Sequence, residues 1–544
     1  MKRYSLIIIS FLLFSFSPLG FINTSGFEVS KQIEVFVAFF GKLNQHYLNE
    51  LNPADLIDKA IGAITKDLDP YTKFWTEQDV EASKIRNSGQ YSGIGAKIHK
   101  QKDKLLISEP YKGYPADKSG LKAGDQIIQI DDIEIAKHKG KASDLLKGKI
   151  GSDVSITYLR QGKEKTVMVT RGSISIDAVP FYQLLDGNIG YIVLKKFNKK
   201  TSIQTIAAFK ELKAKGADRI ILDLRGNPGG LLKEAVHICN MFIDKGIRVV
   251  YTQSWIDSYT KEYNTSKAPL DKDIPVVVLV NERSASASEI VSGTLQDLDR
   301  AVIVGARSFG KGLVQNTQKL KYNTMLKVTT SRYYIPSGRC VQALDYWNRA
   351  IDNTPSRVKT SDYKEFKTIH SKRSVFDGGG VLPDIVVGSV KKNPVVKALQ
   401  KDHWIFNYAT NYYYKNKVKD LASFSFTDKD YKDFLKYLKT NDFDFKTKTE
   451  ELIDKTFYQA EKEELGPTLK KWVSNAQSEI QTYKEEALLV YSDHIKELLK
   501  KEIIKRYFYK KGVYEYDLLY SKQVHAAKEI VKDLDGYQKI LGKK

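Results

Sequence analysis

Apolar residues recur at helical spacing through KQIEVFVAFFGKLNQHYL and ADLIDKAIGAITKDL, which predicts helices over residues 28 to 85, with a breaker at LDPYT, residues 68 to 72. From about 88 to 172 the pattern changes to short alternating strands with glycine turns, in YSGIGAKI, KLLISEP, GDQIIQIDDI and DVSITYLRQGKEKTVMVT. That texture predicts a small β-rich module. Between about 188 and 305 strands and helices take turns: GYIVLKKF, TSIQTIAAFKELKAKG, DRIILDL, LLKEAVHICNMFID, IPVVVLV, SASEIVSGTLQDL, AVIVG. The order implies an α/β core with largely parallel strands and functional loops at the strand ends. LVQNTQKL and MLKVTTSRYYIPSG return to β-structure, ending near GGGVLPDIVV. Beyond 395, lysine, tyrosine and glutamate at helical spacing predict an added helical region that carries no recognisable chemistry.

The serines of NERSASASEI, directly after the apolar run IPVVVLV, are the first candidate chemistry. Ala287, Ile290, Val291, Leu295 and Leu298 are spaced for one helix face, which puts Ser286 at the N-cap with Glu289 three residues on. This is a capping box, a purely structural role. A strand-turn-helix junction also exposes a hydroxyl beside the unsatisfied N–H groups of the first helical turn, which can stabilise an oxyanion. Ser286 suits both roles. Ser284 falls in the turn and Ser288 inside the first helical turn, so both read as structural.

A serine nucleophile needs a base. His46, His99, His138, His237 and His370 lie outside comparable glycine-bordered loops, and His237 reads as a helix residue. In AVIVGARSFGKGLVQ, Lys311 stands between Gly310 and Gly312 just after a strand, where flexible backbone can hold its side chain in a fixed place. As a base it must be neutral, and at an ordinary pKa of about 10.4 only about one lysine in a thousand is neutral near pH 7.4. Burial would have to lower it. Gln315 can offer its amide oxygen to orient the amine. GARSFGK also begins like a phosphate-binding loop, but Gly312 stands where Ser or Thr should hold magnesium and a strand follows instead of a helix. The glycines of DRIILDLRGNPGGLLKEA, Gly229 or Gly230, together with the Ala287 N–H, supply candidate oxyanion donors; the alternative is a plain βα turn. There is no H-E-x-x-H and no close Cys/His cluster to suggest a metal.

The ordered series LDPYTKFW, YSGIGAKI, SGLKAGDQIIQIDD, GYIVLKKF, LDLRGNPGG, NERSASASEI, GARSFGKGLVQ, PSGRCVQ and GGGVLPDI resembles the carboxyl-terminal processing peptidases, the tail-specific serine proteases of family S41, over roughly residues 30 to 392. The resemblance implies a multidomain α/β fold: a crotonase/ClpP-like protease core at 173–394, an inserted-type PDZ domain at 88–172, and helical regions at 26–87 and 395–544. It implies Ser286 as nucleophile, Lys311 as general base, Gln315 as the residue that positions the lysine, and Ala287 with Gly229 or Gly230 as the oxyanion hole. The N–H groups of Gly93, Ile94 and Gly95 would take the carboxylate of a substrate tail while the peptide adds to a sheet edge. The implied reaction is endoproteolysis of exported proteins near an unstructured, apolar C-terminus through an acyl-enzyme, without a cofactor. Pro228 inside the glycine loop is a variation that the family permits, and the tail beyond 395 matches none of its motifs. That tail, or the N-terminal helices, could assemble copies of the chain or dock an adaptor. The reading from another class is a PDZ-containing scaffold with an inactive core.

Length and charge change this picture little. The 544 residues suffice for three to four domains at about 150 each. The opening MKRYSLIIISFLLFSFSPLGF joins basic Lys2 and Arg3 to an apolar run, an export signal over residues 1 to 25, with an uncleaved anchor as the alternative. An exported, periplasmic or cell-envelope location is expected. The two cysteines, Cys239 and Cys340, leave a single bond open. The net charge of +22 is spread over lysines scattered among acids, which argues against nucleic acid as a partner and leaves acidic surfaces as the milder reading.

Overall fold

The computed structural model describes residues 23–101, 103–349, 355–388 and 393–543; the predicted export signal lies outside them as far as residue 22. Two units form, one ending at Phe74 and the other beginning at Trp75. The first holds helices Asn23–His46 and Pro53–Lys66, the second of these capped by the Asn52 side chain on Ala54 N–H. Its LDPYT turn is closed by Asp69, whose Oδ1 accepts from the N–H groups of Tyr71 and Thr72. No described helix is long and apolar enough to cross a membrane.

The second unit is built on a six-stranded sheet ordered 181–185, 189–193, 219–223, 276–280, 302–305, 385–386. The first strand is antiparallel to the second and every later pair is parallel. Strand VVVLV, Val276–Val280, is buried along its whole length, as a strand covered on both faces must be. One face packs on helices Thr201–Ala214, Leu232–Cys239 and Ala287–Asp297 through Phe209, Ile238, Ile290 and Val291. The predicted helix over LLKEAVHICNMFID is shorter than its apolar pattern: it ends at Cys239 and turns follow.

The other face is covered from the far end of the chain. Val524, Ala527 and Val531 of helix Lys522–Lys532 and Tyr537 of helix Leu534–Ile540 pack against Tyr191, Ile221, Val277 and Val302. The region read from sequence as an addition therefore completes the core. Helix Ser492–Tyr520, which leads into it, breaks its helical backbone at Tyr509. There the phenol donates to Asp117 Oδ1 at 2.5 Å, and neighbouring Lys510 lies 3.2 Å from Glu109.

Residues 96–170 form an antiparallel sheet of strands 96–101, 104–110, 126–130, 153–160 and 163–170 around their own apolar cluster of Ile107, Leu121, Ile127 and Ile156. A ribbon of 90–93 with 172–175 closes the ends of this module. A further sheet pairs 325–334 with both 313–319 and 248–253. Cys239 and Cys340 are both free thiols.

Candidate active site

Parallel register builds the site. Val280 pairs with Gly305, and Asp223 with Leu279, so the three strands end at one edge of the sheet. The loops that follow them, 224–230, 281–286 and 306–312, leave from that edge, where ligands meet open α/β sheets.

Ser286 ends the middle loop with φ 56° and ψ −114°, a left-handed conformation that a side chain tolerates only when its surroundings enforce it. Several contacts do so. Its N–H donates to Glu289 Oε2 at 2.8 Å, and its carbonyl accepts from Glu289 N–H at 2.8 Å and from the Tyr333 hydroxyl at 3.3 Å. The capping box with Glu289 that the spacing predicts is present. The neighbouring serines are engaged: Ser284 Oγ donates to Leu224 O at 2.8 Å and Ser288 Oγ to Asn227 O at 2.9 Å.

Glu289 does more than cap. Fully buried, its carboxylate also accepts from Ser308 Oγ and Gly310 N–H, both at 2.6 Å, and from Lys311 N–H at 2.9 Å. Burial pushes the carboxyl up to about 7, against the opposing pull of Ser308 and the three N–H donors. Sequence shows Glu289 only as a capping residue; its reach to Lys311 depends on the pairing of strands 276–280 and 302–305.

The glycines around Lys311 answer to space. Gly310 has φ 88°, and a Cβ there would lie 2.3 Å from Ala343 Cβ; one on Gly312 would lie 2.9 Å from Gln342 N and 3.0 Å from Cys340 Sγ. The 308–312 segment is thus clasped between Glu289 and residues 340–343, with Gly312 N–H donating to Gln342 Oε1 and Ala343 N–H to Gly310 O. Gln315 follows on strand Leu313–Lys319 beside a bulge, and its Nε2 donates to Thr329 Oγ1 at 3.3 Å.

The glycine loop closes over the serine. A Cβ on Gly229 would meet Ala285 O at 2.6 Å and both Ser286 Cβ and Ala287 N at 2.9 Å. Buried Asn227 fixes this approach: its Nδ2 donates to Leu194 O, its Oδ1 accepts from Gly229 N–H, and its carbonyl accepts from Ala285 N–H. Gly229 N–H is therefore occupied. Among the described residues the N–H groups of Gly230 and Ala287 make no hydrogen bond. Asn227, Tyr333 and Ser308 stand beside Ser286 and Glu289 and were missed in the sequence, because each reaches its partner across 19 or more residues of chain.

The GIG segment lies elsewhere, and its Ile94 joins Ala96, Ile98 and Leu146 in lining a cavity of about 290 Å³, with Ile85 and Arg86 from helix Glu77–Ser88 as a further wall. Gly95 has φ 74°, and a Cβ there would meet Tyr114 Cβ at 2.5 Å. Gly93 belongs to strand 90–93 and registers with Gly172. The carbonyls of Ile94 and Gly95 accept from Ala116 and Tyr111, and among the described residues their N–H groups make no hydrogen bond. His237 sits on helix Leu232–Cys239, 3.5 Å from Glu234. No group of three or more His, Cys, Asp or Glu side chains fit for a metal occurs among the described residues.

A largely parallel α/β sheet with a serine at a strained strand-to-helix turn, joined to a PDZ-type module, is the arrangement of an S41 peptidase. Family models agree along the chain: peptidase family S41 over 188–345, a PDZ domain over 92–170, and the C-terminal helical domain of probable PDZ-proteases over 395–531. The last match assigns the tail that the sequence motifs left unmatched. The chain belongs to peptidase family S41. A probable CtpA-like serine protease of Staphylococcus aureus, strain MRSA252, is 36% identical over 304 residues, 55% of this chain and 60% of that protein. The namesake from Staphylococcus epidermidis is 33% identical over 332 residues, 60% of this chain and 67% of its own length. This chain thus spans about 60% of the first of these relatives. A solved structure, the photosystem II D1 C-terminal processing protease, is similar at 27% identity and a TM-score of 0.36, over 64% of this chain and 85% of that one.

Proposed function

We propose that this chain is a serine endopeptidase that cuts exported proteins near their C-terminal tails. The observation that carries the reading is the single carboxylate of Glu289, which receives the backbone N–H groups of Ser286 and Lys311 on one oxygen. It ties the nucleophile and its base within two hydrogen-bond lengths of each other at the backbone. In this reading the Lys311 amine takes the Ser286 proton as Oγ attacks the scissile carbonyl. The N–H groups of Ala287 and Gly230 stabilise the oxyanion. The lysine then passes its proton to the leaving amine, and water, deprotonated by the same lysine, resolves the acyl-enzyme. Gln315 steadies the amine through its amide oxygen.

The substrate tail enters the cavity beside strand 96–101, adding to the sheet edge, with its carboxylate on the N–H groups of Ile94 and Gly95, since Gly93 is taken up by the ribbon with Gly172. The basic, apolar opening of the sequence supports action outside the cytoplasm.

A fluorophosphonate probe and a tailed reporter test the reading together. Wild type should label and cut, whereas Ser286→Ala and Lys311→Ala should bind the tail and do neither. A wild-type protein that binds tails without labelling or cutting would make the chain a scaffold. Turnover retained in Lys311→Ala would move the base elsewhere.

A further inference from the structure

Arg225 follows the strand that opens the glycine loop, and its guanidinium is buried. Asp223 accepts from its Nε at 3.0 Å and from Nη2 at 2.7 Å, and Tyr191 Oη lies 3.4 Å from Nη2. Tyr191 in turn donates to Asp223 at 2.6 Å. The remaining nitrogen, Nη1, turns away from the protease core and donates to Ser521 Oγ at 2.7 Å and Gln523 Oε1 at 3.0 Å. Both acceptors lie almost 300 residues further along, where helix Ser492–Tyr520 gives way to helix Lys522–Lys532. Gln523 is itself held, donating Nε2 to Val387 O at 3.0 Å beside the last strand of the sheet. The Arg225 carbonyl accepts from Lys195 Nζ, and that amine also lies over the Tyr514 ring of the C-terminal helix.

From Arg225 the path to the chemistry is short. Two residues on, Asn227 accepts at its carbonyl from Ala285 N–H and Ser288 Oγ, the immediate surroundings of Ser286, and holds the Gly229 N–H through its side chain. A buried guanidinium deprived of two acceptors keeps donors that must find new partners or water. The direct way to find them is to shift the loop.

We propose that the C-terminal helical region supplies positioning residues for the reaction, Ser521 and Gln523, which act through Arg225 to hold the 224–230 loop and its oxyanion donor over Ser286. The inference rests on the hydrolase reading above, and it makes the C-terminal region part of the active-site machinery. Neither residue touches substrate; their effect belongs to kcat.

The test compares full-length wild type, Ser521→Ala/Gln523→Ala, and the conservative Ser521→Thr/Gln523→Glu, which keeps an acceptor at both positions. Turnover of a tailed reporter, fluorophosphonate labelling rate and amide hydrogen exchange over 224–230 are read in each. The alanine pair should lose at least tenfold in kcat and labelling rate with KM unchanged, and exchange faster in the loop; the conservative pair should stay within threefold of wild type. Alanine-pair rates within threefold of wild type overturn the proposal, as does a conservative pair that falls as far as the alanine pair. Should the alanine pair fail to fold, Gln523→Ala alone decides by the same criteria. Wild type that neither labels nor cuts defeats the hydrolase reading instead; loop exchange then decides the clasp by itself, unchanged exchange overturning it and faster exchange upholding it.

Discussion

Ser286 and Lys311 share one hydrogen-bond acceptor: the backbone N–H of each donates to Glu289 Oε2, at 2.8 and 2.9 Å. Twenty-five residues of chain separate them, and a single buried oxygen fixes their backbones side by side.

Glu289→Gln replaces one accepting oxygen by an NH₂ group facing N–H donors. Leaving buried donors unpaired costs about 1–3 kcal/mol each. The variant should unfold at lower denaturant by a few kcal/mol and lose at least tenfold in fluorophosphonate labelling rate. Labelling within twofold of wild type would show that the shared acceptor does not govern the pair.

The same carboxyl links stability to pH. Its pKa rises from 4.5 in the free group to about 7 in the folded chain, so between those values the folded state binds the proton that the unfolded state has lost. Its contribution is complete below about pH 4.5 and disappears as pH rises through 7, a swing of roughly 3 kcal/mol. The stability difference between wild type and Glu289→Gln should therefore shift toward the variant from pH 5 to pH 8. A difference that stays flat across this range refutes the assignment.

Ser286 pays a conformational cost that glycine would not. With φ at 56°, Ser286→Gly and Ser286→Ala should both abolish labelling, while the glycine variant should be more stable than the alanine variant by about 1 kcal/mol. Equal stability in urea titrations would mean that the turn relaxes in solution.

Ile98 lines the cavity beside the GIG loop and is only half-buried. Ile98→Asp should raise KM for a substrate with an apolar tail at least tenfold, since an apolar contact becomes a charged one, and leave the fluorophosphonate labelling rate unchanged. A tail-independent loss would place the effect in the fold and not in tail binding.

Much of the core was legible because its strands are continuous apolar runs with helices between them. The fates of Ser284 and Ser288 followed from their places, one in the turn and the other in the first turn of the helix. The role of Glu289 was hidden, since a glutamate three residues after an N-cap is complete as a local motif and gives no sign of a second partner 22 residues on. Arg225 was hidden for the same reason: its acceptors, Ser521 and Gln523, lie in a segment whose helical pattern carries no chemical signature.

Local spacing alone determined the alternation of strands and helices, the serine at a helix entrance and the lysine between glycines, because each is set by residues within a turn or two of one another. Tertiary structure decided that three strand ends share one sheet edge, that one carboxylate serves both Ser286 and Lys311, and that the last helices cover the second face of the sheet. Those outcomes depend on parallel register and on burial of both sheet faces, and such long-range pairings leave no period in the chain that could be read in advance.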